Sequence, residues 1–124
     1  MRLHFSASSH DVAHERFTRL VKLYGQHDIA DADCIVALGG DGHMLHVLHE
    51  TLEHGKPVFG LNCGRLGFLM NHFASDELIE RIKNAETAPI HPLRMKAVTA
   101  DGTQPPALAI NEVSLLRQTH NAAH

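Results

Sequence analysis

"CIVALGGDGHML", Cys34 to Leu45, decides the fold: an apolar run, a glycine turn carrying an acid, then the opening of a helix. Cys34 to Leu38 is apolar throughout, as a strand covered on both faces must be. After the turn, Met44, Leu45, Val47 and Leu48 recur at helical intervals. Strand, glycine turn and helix together form the arrangement that offers backbone N–H groups to a phosphate, a role that falls here to Gly39 and Gly40. Asp41 stands in the middle of that turn. A carboxylate beside a phosphate is repulsive unless a proton or a cation lies between them, so the acid needs a reason.

The same alternation extends to both sides. "RLHFSA" (Arg2 to Ala7) reads as a first strand, and the following stretch places Val12, Phe17, Leu20, Val21 and Tyr24 at helical spacing up to Gly25. Gly42 to His54 is the next predicted helix, closed by Gly55, and Pro57 to Asn62 a third strand. "ASDELIERIKNAE" predicts a third helix with Ser75 as its N-cap and Leu78, Ile79 and Ile82 facing inward. Strands alternating with helices imply a parallel sheet, so the expected fold is α/β, Rossmann-like, with flanking helices.

"TAPIHP" breaks this pattern. From Leu93 onward the chain reads as two β segments, Leu93 to Thr99 and Ala107 to Leu116, around a "DGTQPP" turn. The expected organisation is therefore an α/β domain over residues 1–88 and, over 89–124, the first hairpin of an incomplete all-β domain. An isolated hairpin is marginally stable, so the chain reads as part of something longer. Its apolar face of Leu108, Ile110, Val113 and Leu115 would then lack a cover.

Composition narrows the partners. The formal charge of −3, with no run of Lys or Arg, argues against nucleic acid and against an anionic membrane surface. No apolar stretch approaches the roughly 20 residues a membrane helix needs, and the first residues do not read as a charged region followed by a long apolar one, so no leader is expected from them. Cys34 and Cys63 are the two cysteines, without a CxxC pair, which suits reduced thiols in the cytoplasm.

Asp41 has two readings. As a helix cap it would contribute about 1 kcal/mol. Flanking glycines instead favour close approach of a ligand, in which case the carboxylate takes a proton from a ligand hydroxyl or helps hold a divalent cation. "NCGRLGF" (Asn62 to Phe68) puts further glycines after a strand, at the edge where open α/β sheets bind ligands. Phe68 there is a core plug or a platform for a base, and Arg65 a solvated or a phosphate-facing cation. "AINEVSLL" places Asn111 and Glu112 inside an apolar strand, which is costly if they are buried without partners. His43, His46, His49 and Glu50 crowd one helix, yet i, i+3 steps fan the rings around roughly 120°, so no metal site is expected from them.

"GGDG" after an apolar strand, then "NCGRLGF", then "AINEVSLLR", in this order and spacing, resembles the N-terminal motifs of the NAD kinase family. "GGDG" alone is shared with lipid kinases of the diacylglycerol and sphingosine type. A lipid kinase domain is therefore the runner-up, and a nucleotide-binding module without catalysis the reading from another class. The resemblance implies phosphorylation of the 2′-hydroxyl of the adenosine ribose of NAD, with ATP or polyphosphate as donor and a divalent cation, Mg2+, assisting. It implies Asp41 as the proton acceptor, Gly42 and His46 beside the NAD, Phe68 near the adenine, and Asn111 with Glu112 holding the dinucleotide. It also implies a homo-oligomer, dimer or tetramer, at full length. His43 departs from the small hydroxyl residue usual after the motif, and family members continue into a β-rich domain that completes the NAD site.

Overall fold

The computed structural model describes residues 1–64, 69–90 and 113–118. Along the chain run β1 (Leu3–Ala7), α1 (Asp11–Tyr24), β2 (Cys34–Gly39), α2 (Asp41–Glu50), β3 (Val58–Asn62), α3 (Leu78–Asn84), β4 (Glu86–Ile90) and β5 (Val113–Arg117). They form one sheet in the order β1-β2-β3-β5-β4. β1, β2, β3 and β5 are parallel, and β4 is antiparallel to β5. The α/β expectation holds, as a mixed sheet.

β2 lies second in the sheet because every one of its residues is buried and needs cover on both faces. Its side chains alternate accordingly. Cys34, Val36 and Leu38 join Leu3, Phe5, Phe59 and Leu61 under α1 and α3, whereas Ile35 and Ala37 join Val58 and Leu115 under α2. β1, β2 and β3 step in one direction across the sheet, but α1 and α2 lie on opposite faces. The two β-α-β crossovers therefore have opposite hands, and one of them departs from the right-handed rule. One consequence reaches the site: the turns after β1 and β2 leave the carboxyl edge toward opposite faces, the arrangement in which open α/β sheets receive ligands.

Several boundaries differ from the sequence reading for local reasons. In α1 the inward stripe is Ala13, Phe17, Leu20, Val21 and Tyr24, so Val12, one residue off that stripe, is 46% exposed. α2 stops at Glu50, where buried Thr51 turns its hydroxyl back to the Val47 carbonyl at 3.0 Å. α3 begins later than expected, with Glu77 as N-cap in the left-handed region at φ 55° and no side-chain cap. Ser75 is thus not the cap; its carbonyl accepts the Tyr24 hydroxyl at 2.6 Å.

The largest difference concerns the last two strands. Glu86–Ile90, which takes in the last residue of the expected third helix and most of the "TAPIHP" break, is the edge strand β4, where Pro89 is tolerated because an edge has one ladder to serve. Val113–Arg117 belongs to the α/β sheet: Val58 and Phe59 pair with Leu115 and Leu116. Val113 and Leu115 are accordingly buried, correcting the expectation that they lack cover. Leu93 to Thr99 and Ala107 to Glu112 lie outside the described residues.

Candidate functional site

Gly39 ends β2, Gly40 is the N-cap of α2, and Asp41 is its first residue. Gly40 has no side chain to cap with, and Asp41 stands one position inside the helix instead of at the cap. Its Oδ1 accepts the backbone N–H of Leu69 at 2.9 Å. Leu69 follows the glycine-spaced segment that leaves β3, so one carboxylate joins the two loops at the carboxyl edge. Where β2 and β3 end, the Cys63 N–H donates to the Gly39 carbonyl at 3.0 Å, holding the two strand ends together.

The glycines of the turn have different reasons to be there. A Cβ at Gly39 would lie 3.1 Å from the His43 Cβ and 3.2 Å from Ser8, tight contacts that favour a glycine where the turn after β1 and the start of α2 come close to β2. A Cβ at Gly40 or Gly42 would meet nothing within 4 Å among the described residues. Protein packing does not demand those two, and the room over them suits a ligand that approaches the backbone. The leading N–H groups of α2 have no acceptor within the helix, which makes this turn suited to an anion.

The His43 ring is turned away from α2 toward β1, its Nε2 3.1 Å from the Ser6 carbonyl and 3.3 Å from the Ser6 hydroxyl. A carbonyl only accepts, so Nε2 carries the hydrogen in that contact. Burial holds the His43 pKa below the ordinary histidine value, with the Ser6 carbonyl acting the other way. The unfolded chain therefore binds a proton that the folded one refuses, and this contribution to stability falls as pH drops through the ordinary histidine range. His43→Asn is expected to flatten that acid-side loss in denaturation midpoints measured across the range. An unchanged slope would contradict the assignment.

His46, named from the sequence, is exposed on α2 and pairs with Glu50 at 3.2 Å. Among the described residues no three His, Cys, Asp or Glu side chains are grouped to hold a metal ion. Cys34 and Cys63 are free thiols; burial pushes Cys34 up to about 12, which makes it inert. No helix of the described residues is long and apolar enough to cross a membrane.

Phe68, Asn111 and Glu112 lie outside the described residues. Val113, which follows Glu112, stands at the amino end of the sheet, because Leu115 is level with Val58 and β5 runs parallel to β3. Gly39, which ends β2 just before Asp41, is level with Asn62 at the carboxyl end, about six residues or roughly 20 Å farther along. The described residues thus bring the GGDG turn and the segment after β3 together, but not the entry to β5.

Sequence reasoning missed Arg16 and Asn71. From α1, Arg16 donates to the Asn62 carbonyl at 2.7 Å, with its guanidinium 4.2 Å from the Phe73 ring centre. It anchors the root of the loop after β3. Asn71 is buried and donates to the carbonyls of Gly60 and Leu116 at 3.0 and 3.3 Å, while its Oδ1 accepts the Gln118 N–H at 3.0 Å. Neither residue sits in a motif.

The ATP-NAD kinase N-terminal domain matches residues 1–87. The chain belongs to the NAD kinase family. Over 98% of its length it is 52% identical to the NAD kinase of Caulobacter vibrioides, covering 47% of that protein. It is 50% identical to the NAD kinase of Hyphomonas neptunium over 99% of the chain and 48% of the relative. With the NAD kinase of Rhizobium meliloti the identity is 49%, over 98% of the chain and 47% of the relative. The chain spans about half the length of the curated relatives it matches. In NAD kinase terms, the matched residues include the whole GGDG turn and its Leu69 contact.

Proposed function

We propose that this chain is the α/β portion of an enzyme that phosphorylates the 2′-hydroxyl of the adenosine ribose of NAD, with ATP or polyphosphate as donor, to make NADP. The observation that carries it is a carboxylate at the start of α2, held by the Leu69 N–H, in a turn whose Gly40 and Gly42 leave the backbone open. In the proposed reaction the Asp41 carboxylate accepts the proton of the ribose hydroxyl. The freed oxygen forms a bond to the terminal phosphorus as the bond to the leaving phosphate breaks. Backbone N–H groups of Gly39 to Gly42 steady the phosphates, and His46 supplies a nearby imidazole.

A divalent cation fits this donor set in one form. Mg2+ keeps several waters and needs one or two carboxylates plus phosphates, and the turn supplies one carboxylate, Asp41. It would travel with the phosphates and neutralise their charge. The full-length enzyme is proposed as a cytoplasmic homo-oligomer, dimer or tetramer; the two free thiols suit that compartment.

Phe68, Asn111 and Glu112 are proposed to hold the dinucleotide on the strength of the resemblance. Calorimetry on Glu112→Ala decides. A loss of NAD affinity exceeding the loss for ATP keeps the pair in the site, and equal losses remove it.

The activity itself is tested on the protein from the full reading frame, supplied with NAD, Mg2+ and either ATP or polyphosphate. An NADP-specific dehydrogenase should then find NADP. Phosphorylation of diacylglycerol with no NADP would transfer the assignment to the lipid kinases, and nucleotide binding without turnover would leave a binding module.

A further inference from the structure

Resting on that reading, we infer that Asn71 is a positioning residue for the Asp41 carboxylate. The segment Leu69–Asn71 is a strap along the carboxyl edge. At one end the Leu69 N–H holds Asp41 Oδ1 at 2.9 Å. At the other end the Asn71 backbone is bonded into β3: its N–H donates to the Gly60 carbonyl and its carbonyl accepts the Asn62 N–H, both at 2.8 Å. The side chain of Asn71 then fastens that end. It reaches Gly60, Leu116 and Gln118, so each polar atom of a buried amide has a partner.

Between the two ends lies Met70, buried against the Met44 side of Gly60, where a Cβ would meet Met70 Sδ at 2.7 Å and Met44 Cε at 2.4 Å. Methionine is a flexible filler and does not by itself fix a backbone. The hydrogen bonds of Asn71 do. Two residues from Leu69, they determine where the Leu69 N–H points, and with it where the carboxylate faces. Removing them leaves that end of the strap held by backbone bonds alone and takes the Oδ1 acceptor from the Gln118 N–H, which frees the strap to shift, and displacement by about 1 Å suffices to slow a reaction 10²-fold.

The test is a double-mutant cycle on the full-length protein, with Asn71→Ala, Asp41→Asn and the pair. Asn71→Ala is expected to lower kcat about tenfold with KM for NAD within about twofold, and to lower it no further once Asp41→Asn is present. Asn71→Asp, equal in size but lacking the two donated bonds, should behave alike. An unchanged kcat in either variant overturns the inference, as does a full additional loss in the Asp41→Asn background, which a merely structural role would give.

Should neither variant fold, amide hydrogen exchange in the unaltered protein decides. Protection of the Leu69 and Asn71 amides in one class supports the strap, and Leu69 exchanging at an unprotected rate overturns it. That readout does not require turnover, so it separates failure of this inference from failure of the kinase reading.

Discussion

Asp41→Asn is expected to lower kcat for NADP formation by roughly 10²- to 10⁴-fold while leaving NAD affinity within about tenfold. The amide has the shape of the carboxylate and an oxygen that can still accept the Leu69 N–H, so the turn keeps its geometry. What is lost is the acceptor for the ribose proton. Steady-state kinetics and calorimetry on the same preparation separate the two effects. Near-normal turnover would return Asp41 to a purely structural post between the two loops.

Phe59→Ala is expected to cost about 3–5 kcal/mol of stability, read from the denaturation midpoint. Phe59 is fully buried in β3 between β2 and β5, under α1 and α3, and the Arg81 guanidinium lies 5.6 Å from its ring centre. Arg81 in turn donates to the carbonyls of His72 and Ala74 and to the Gln118 side chain. Truncating the ring therefore opens a cavity in the centre of the sheet and removes a surface on which a cation organises the loop before α3. A loss under about 1 kcal/mol would mean that the site collapses around the gap far better than its packing suggests.

Cys34 to Leu38 announced a fully covered strand because every residue there is apolar, and the structure buries all of them. β1, β3 and the two long helices were legible for the same reason, since periodicity reports burial directly. β4 was not: its pattern is mostly exposed and contains Pro89, so neither alternation nor propensity marks it. β5 was legible as a strand, but its partner was not, because a period of two tells which faces are covered and not by which strand. One clue was available. Leu115 and Leu116 are adjacent and both buried, the mark of a strand covered on both faces and not of a hairpin at a sheet edge.

In the site, the GGDG turn was readable because glycines around an acid have few purposes. The grip of Leu69 on Asp41 was not, because a backbone N–H leaves no trace in the sequence. Asn71 was equally invisible: a lone amide in "LMNHF" reads as a loop residue until its three partners, two of them more than 40 residues away, are brought to it by the fold.

The most direct test of the central claim, that the carboxyl edge of β2 and β3 receives the nucleotide, is amide exchange on the full-length protein with and without NAD. Protection on adding NAD is predicted at Gly40 to His43 and at Leu69, with α1 from Val12 to Arg19 unchanged. Protection confined to α1 or to the amino end of the sheet, with the GGDG turn unaffected, would contradict it.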